Sequence, residues 1–128
     1  ARLAKTVPPV RYAYLIWRKP WMVAGGDTYL TDLLGLAGGV NVYADSPERY
    51  PAIEPSELRE RQPDVLLLCS EPFPFQEKHM TEWRGFPGFE QKAFRLADGE
   101  ALTWHGSRTL PGLSYAWDLL QGVRSLRG

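Results

Sequence analysis

The chain has 128 residues, of which 44% are hydrophobic, and this composition predicts one globular domain with a modest core rather than a disordered segment. Lys plus Arg and Asp plus Glu both number 15, so the formal net charge is zero. Domains that bind nucleic acid usually carry a basic excess, and we therefore expect no nucleic-acid partner. No apolar run approaches the roughly 20 residues that span a bilayer. The single cysteine, Cys69, rules out an internal disulfide.

The first half of the chain alternates between predicted strands and helices. Val10–Trp17 is dominated by β-branched and aromatic residues, which predicts a mostly buried strand. Asp27 is the predicted N-cap of the following helix, and Gly38 supplies a left-handed end to it. Val40–Tyr43 is a candidate for a second, short strand. The helix between them carries one apolar stripe, formed by Leu30, Leu33, Leu34 and Ala37.

The second half contains the strongest strand signal of the chain. Val65–Cys69 is a continuous apolar run with no polar face, as expected of a central strand in a parallel sheet. It follows a short predicted helix that begins at Pro55, is anchored by Leu58 and ends at Pro63. The remaining predicted elements are a helix over Gln76–Arg84, a strand around Phe94 and Leu96, and a long helix over Leu110–Leu126.

This alternation predicts an α/β fold, namely a three-layer, Rossmann-like lobe whose mainly parallel central sheet is flanked by helices. In such sheets, ligands bind beyond the carboxyl ends of the strands. Three loops follow predicted strands in this way, and they cover residues 17–28, 71–75 and 104–108. We therefore expect these loops to converge on one rim of the sheet.

The sequence offers no catalytic constellation. His79, His105 and Cys69 do not have the spacing of a zinc site, and Cys69 is best interpreted as an inert core thiol. The glycine spacings of dinucleotide and P-loop sites and the G-x-S-x-G elbow are absent. Glu71 and Glu77 could be an acid pair, but nothing positions a nucleophile or a base between them. We expect neither an enzyme nor a metal site nor a resident cofactor.

Binding is the chemistry that the loop residues suit, because tryptophan and methionine offer flat, polarizable surface. The loop residues of this kind are Trp17, Trp21, Met22 and Trp104. Arg18 and Arg108 add planar cations that pair with carboxylates or phosphates in bidentate geometry. Trp21 and Met22 follow a proline in a loop, which favours ligand contact. The other two are equally compatible with core residues at the end of the sheet.

The order and spacing of several segments resemble one protein family. The segments are Val10–Trp17, Lys19–Met22, Gly25–Thr28, Leu33–Val42, Arg49–Pro51 and Gln62–Leu68, of which the last is the strongest. In this order they resemble the C-terminal lobe of a class III periplasmic solute-binding protein. Such proteins serve ABC importers for cobalamin, haem and iron–siderophore complexes. Trp104–Arg108 resembles the segment that carries a ligand-facing aromatic residue in the cobalamin-binding members.

The resemblance implies a protein with two α/β lobes that are joined by a long helix and enclose the ligand. Residues 1–9 would then be the end of the linker region and residues 10–128 a single C-terminal lobe, with the N-terminal lobe as a missing partner. A lobe without its linking helix would leave one face exposed, which favours a homodimer. The implied location is periplasmic or otherwise extracytoplasmic, beside an ABC permease.

The resemblance also assigns roles to single residues. Those that would face or flank the ligand are Trp17, Arg18, Trp21, Met22, Trp104 and Arg108. Glu77 is the first candidate for docking to the permease and Glu71 the second, although either could be an ordinary surface acid. The expected ligand is a metal chelate such as cobalamin, haem or a ferric siderophore. A corrinoid is favoured because the wall is rich in tryptophan and not strongly cationic. The alternative is a protein-interaction or self-associating α/β module without a small-molecule ligand.

Overall fold

A computed structural model describes residues 9–71, 73–98 and 110–127. The strands are β1 (Val10–Trp17), β2 (Met22–Val23), β3 (Gly39–Asn41), β4 (Val65–Cys69) and β5 (Ala93–Ala97). The helices are α1 (Tyr29–Leu36), α2 (Pro55–Arg61), α3 (Glu77–Arg84) and α4 (Leu110–Arg127). The expected α/β lobe with a mainly parallel sheet is confirmed. Within the described part of the chain, no helix is both long and apolar enough to cross a membrane.

Strands β1 and β4 form the centre of a five-stranded sheet. Four of its strands follow in the order β2-β1-β4-β5, and the fifth, β3, also pairs with β1. β1 pairs in parallel with β4, and β4 pairs in parallel with β5. The other edge of β1 is shared, because β3 pairs in parallel with its first residues and β2 antiparallel with its last. All five residues of β4 are buried, as expected of a strand with neighbours on both sides. The carboxyl ends of β1 and β4 therefore lie side by side.

Helix α1 begins one residue later than predicted. Thr28 is its N-cap, and the Thr28 hydroxyl oxygen accepts a hydrogen bond from the Thr31 N–H at 3.3 Å. The prediction of Asp27 as the cap was wrong, because Asp27 lies outside the helix and is exposed. The predicted apolar stripe is fully buried. Gly38 has φ +93°, so the predicted left-handed end of the helix is confirmed.

A buried amide locks together the loops that follow β2 and β3. Asn41 donates from Nδ2 to the Ala24 carbonyl oxygen at 2.9 Å and to the Thr31 hydroxyl at 3.0 Å. Its Oδ1 accepts the Tyr43 N–H at 2.8 Å. Gly26 lies so close to this loop that a Cβ atom would collide with the Ala44 carbonyl oxygen. This packing fixes the chain that leaves the β1–β2 hairpin.

Candidate functional site

The first aromatic loop is the turn of the β1–β2 hairpin. Trp17 and Met22 are Cα partners across the two strands, and the peptide bond before Pro20 is cis. Backbone hydrogen bonds tie the far side of the hairpin to the segment after residue 50, from the Val23 N–H to the Pro51 oxygen at 3.1 Å and from the Ile53 N–H to the Trp21 oxygen at 2.9 Å. Both sides of the hairpin are thus held by the fold.

The second loop follows β4 and meets the hairpin. The Cys69 thiol donates to the Phe73 carbonyl oxygen at 3.4 Å, and the Phe75 N–H donates to the Cys69 oxygen at 3.3 Å, so the loop folds back on its strand. The rings of Trp17 and Phe73 are 5.6 Å apart, edge to face. Two of the three loops that the sequence placed on one rim therefore converge there. The third loop, with Trp104 and Arg108, lies outside the described residues.

A continuous set of aromatic rings, here called the rim cluster, links the two loops to α3 and the segment after it. Its members are Trp17, Trp21, Phe73, Phe75, His79, Trp83, Phe86 and Phe89. Trp83 is 0% exposed, whereas Trp17 is 40% exposed. The cluster therefore has one end in the core and one end at the surface. Sequence reasoning missed its inner members, although the spacing of Trp83, Phe86 and Phe89 was a signal.

Trp21 and Met22 are both partly buried, which gives them a packing role whatever else they contact. The Trp21 ring stacks on Phe75 with centroids 6.5 Å apart and an interplanar angle of 14°. It also lies 4.9 Å from the Trp83 ring. Trp17, for which the sequence left core and ligand roles equally open, is the more exposed tryptophan of the hairpin.

Arg18 is already paired within the chain. Its Nε and Nη2 atoms donate to the two carboxylate oxygens of Glu82, both at 2.9 Å, and its guanidinium carbon lies 5.8 Å from the centre of the Trp21 ring. The hydrogen bond from Arg18 lowers the pKa of Glu82, and the same bond raises the pKa of Arg18. A cavity of about 250 Å³ lies beside the pair, lined by Arg18, Lys78, His79 and Glu82.

His79 has a structural role at the start of α3. Its Nδ1 accepts the Gln76 N–H at 2.9 Å, so the neutral ring carries its proton on Nε2. The ring lies 5.3 Å from both Phe73 and Phe75. Burial lowers the pKa of His79, and the positive charge of Lys78 lowers it further. The imidazole is therefore held neutral as a helix cap.

The remaining sequence candidates lie nearby. Glu71 follows β4, Glu77 is the first residue of α3, and both are exposed. Cys69 is buried, and burial raises the pKa of its thiol to about 11, as expected of an inert core cysteine. Over the described ranges, no group of three or more His, Cys, Asp or Glu side chains is placed to hold a metal ion.

Comparisons with known proteins agree with this architecture. No family model matches the chain. A vitamin B12-binding protein of Vibrio cholerae is 33% identical over 59 residues, which is 46% of this chain and 21% of that protein. The periplasmic vitamin B12 binding protein BtuF of Vibrio cholerae superposes with a TM-score of 0.71 at 20% identity, over 94% of this chain and 48% of its own. The periplasmic heme-binding protein RhuT from Roseiflexus sp. RS-1 superposes with a TM-score of 0.69 at 25% identity, over 95% of this chain and 49% of its own.

The coverage of these matches is uneven. The structural superpositions span nearly all of this chain but only about half the length of the solved relatives. The resemblance inferred from the sequence is confirmed: the chain is similar in sequence to vitamin B12-binding proteins and similar in fold to about half of periplasmic vitamin B12-binding and heme-binding proteins.

Proposed function

We propose that the chain is one lobe of the solute-binding component of an ABC importer, and that it captures a metal chelate outside the cytoplasm without changing it chemically. The observation that carries the proposal is the rim cluster, which places flat aromatic surface at the carboxyl ends of β1 and β4. The similarity to vitamin B12-binding and heme-binding periplasmic proteins supports the same class of ligand.

Among metal chelates, we favour a corrinoid such as cobalamin over haem or a ferric siderophore. The exposed part of the rim is aromatic, with Trp17 at 40% exposure as its outermost ring. The guanidinium of Arg18 is already paired with Glu82, which makes this cation less available to an anionic chelate. The large flat face of a corrinoid can stack on tryptophan rings, and burial of the ligand surface then supplies most of the affinity.

The ligand's other face requires a second wall. A single lobe buries one side of a chelate, whereas high-affinity pockets enclose most of the ligand surface. We therefore propose that a second, N-terminal lobe closes the site, with a homodimer of this lobe as the alternative. Glu77, and second to it Glu71, are proposed to dock to the permease, since both are exposed acids beside the rim.

The test is a titration of the chain with cyanocobalamin, haem and a ferric siderophore, followed by tryptophan fluorescence and isothermal calorimetry. We expect one of the three to bind, and Trp17→Ala to weaken that binding by about tenfold through loss of a stacking face. Tyr50→Ala is the matched control, because Tyr50 is 45% exposed and lies outside the rim cluster.

Two outcomes would count against the proposal. If none of the chelates binds at concentrations up to about 1 mM, the ligand-capture function should be abandoned. If none of them binds and Trp17→Ala alters the sedimentation mass, the self-associating module becomes the better interpretation, with the aromatic rim as an epitope for a protein partner.

A further inference from the structure

The ion pair between Arg18 and Glu82 joins the hairpin turn to the C-terminal half of α3. The two residues are 64 positions apart, and both oxygens of the carboxylate are used. Their side chains are 28% and 33% exposed, so the pair lies at the protein surface but not in bulk water. A bidentate pair of this kind fixes the plane of the guanidinium and occupies the edge that would otherwise bind a ligand's carboxylate.

The side chains that line the cavity beside the pair are of the kind that bind anions, with the exception of Glu82. Arg18 and Lys78 bring positive charge to its wall, and His79 brings a ring that carries its proton on Nε2. Among the described residues that line the cavity, ionised Glu82 is the one whose side chain accepts hydrogen bonds but cannot donate them. This carboxylate therefore acts as an internal counter-ion to the Arg18 guanidinium.

We propose that Glu82 sets the charge selectivity of the candidate site, because it withdraws the Arg18 guanidinium from ligands and so favours neutral chelates over anionic ones. The inference rests on the proposed function and adds a specificity-determining positioning residue to it. Glu82 need not touch the ligand, since it acts through Arg18. A purely structural role for the pair would affect stability without changing the order of ligand affinities.

The experiment compares the dissociation constants of cyanocobalamin, which is neutral, and haem, which carries propionates. Glu82→Gln frees the guanidinium, and we expect the affinity for haem relative to cyanocobalamin to rise by about threefold to tenfold, as for a partly screened charge pair. High salt should diminish the gain. Glu60→Gln is the control for net charge, since Glu60 is an exposed acid on α2, away from the cavity.

Arg18 variants test whether the effect passes through the guanidinium. The double variant Arg18→Gln/Glu82→Gln should return the affinity ratio to the wild-type value. Arg18→Gln alone leaves the Glu82 carboxylate uncompensated beside the rim, and the relative affinity for haem should fall. The single Arg18 variant also keeps the inference testable if Glu82→Gln fails to fold.

The outcomes separate this inference from the proposed function. If the wild-type chain binds none of the three chelates, the proposed function fails and the inference fails with it. If it binds only the ferric siderophore, the inference alone is overturned. If the wild type binds but Glu82→Gln changes both affinities by the same factor, or lowers only the melting temperature, the inference alone is overturned. An unchanged ratio in Arg18→Gln overturns it as well.

Discussion

Trp83 anchors the rim cluster in the core, and its replacement tests the packing of the site directly. The side chain is fully buried, and its ring centroid lies 4.9 Å from Trp21, 5.1 Å from Phe86 and 5.1 Å from Phe89. Among the residues that the structure describes, its indole N–H has no hydrogen-bond partner. The ring is therefore held by packing, and the N–H is a buried polar group that lowers stability.

The two simplest substitutions should differ widely. Trp83→Ala should lower the free energy of unfolding by about 3–5 kcal/mol, the usual cost of emptying a buried aromatic site. The lost ring pairs, at about 0.5–1.5 kcal/mol each beyond area burial, favour the upper end of that range. Trp83→Phe keeps a ring in place. It should lose roughly 1–2 kcal/mol of packing and regain about 1–3 kcal/mol by removing an unsatisfied N–H, so the net change should lie between a loss of about 1 kcal/mol and a gain of about 2 kcal/mol.

Urea unfolding followed by circular dichroism measures both changes, as shifts of the midpoint at constant slope. Trp17→Ala is the control for loss of an indole at the surface end of the cluster, and we expect it to cost less than about 1 kcal/mol because Trp17 is 40% exposed. If Trp83→Phe proves as destabilising as Trp83→Ala, the indole N–H contributes to stability and the reasoning above is refuted.

Two further predictions concern polar groups that hold the loops of the site. Because the folded-state pKa of His79 is lowered, the unfolded state binds more protons, and stability should fall as the pH drops through the ordinary histidine range near 6.5. His79→Gln should flatten this pH dependence, which thermal melts at several pH values measure. An unchanged slope of melting temperature against pH would contradict the prediction. Asn41→Ala should lower the free energy of unfolding, measured in urea, by about 2–4 kcal/mol, because it leaves the Tyr43 N–H and the Ala24 carbonyl unpaired. The control Val40→Ala, at a position that is 41% exposed, should lower it by less than about 1 kcal/mol. Equal losses in the two variants would refute the role of Asn41.

Local sequence patterns predicted the elements well, since strands and helices are set largely by short-range periodicity. The bounds of Val10–Trp17 and Val65–Cys69 are those of β1 and β4. The cap of α1 was misplaced because Asp27 and Thr28 are both good N-caps, and only the backbone geometry selects between them. No sequence pattern could pair Arg18 with Glu82, because that contact depends on the path of the hairpin across α3.

The rim is an assembled surface rather than a set of free side chains. The rings pack on one another from the buried Trp83 outward to Trp17, and the Arg18–Glu82 pair ties the hairpin to α3 at the same place. Side chains that are held in this way lose little further entropy when a ligand stacks on them, so less of the interaction energy is spent on ordering. On the proposed function, the affinity of this lobe should therefore be limited by how much of the chelate a single wall can bury, and closure by a second wall should add affinity without rearranging the rim.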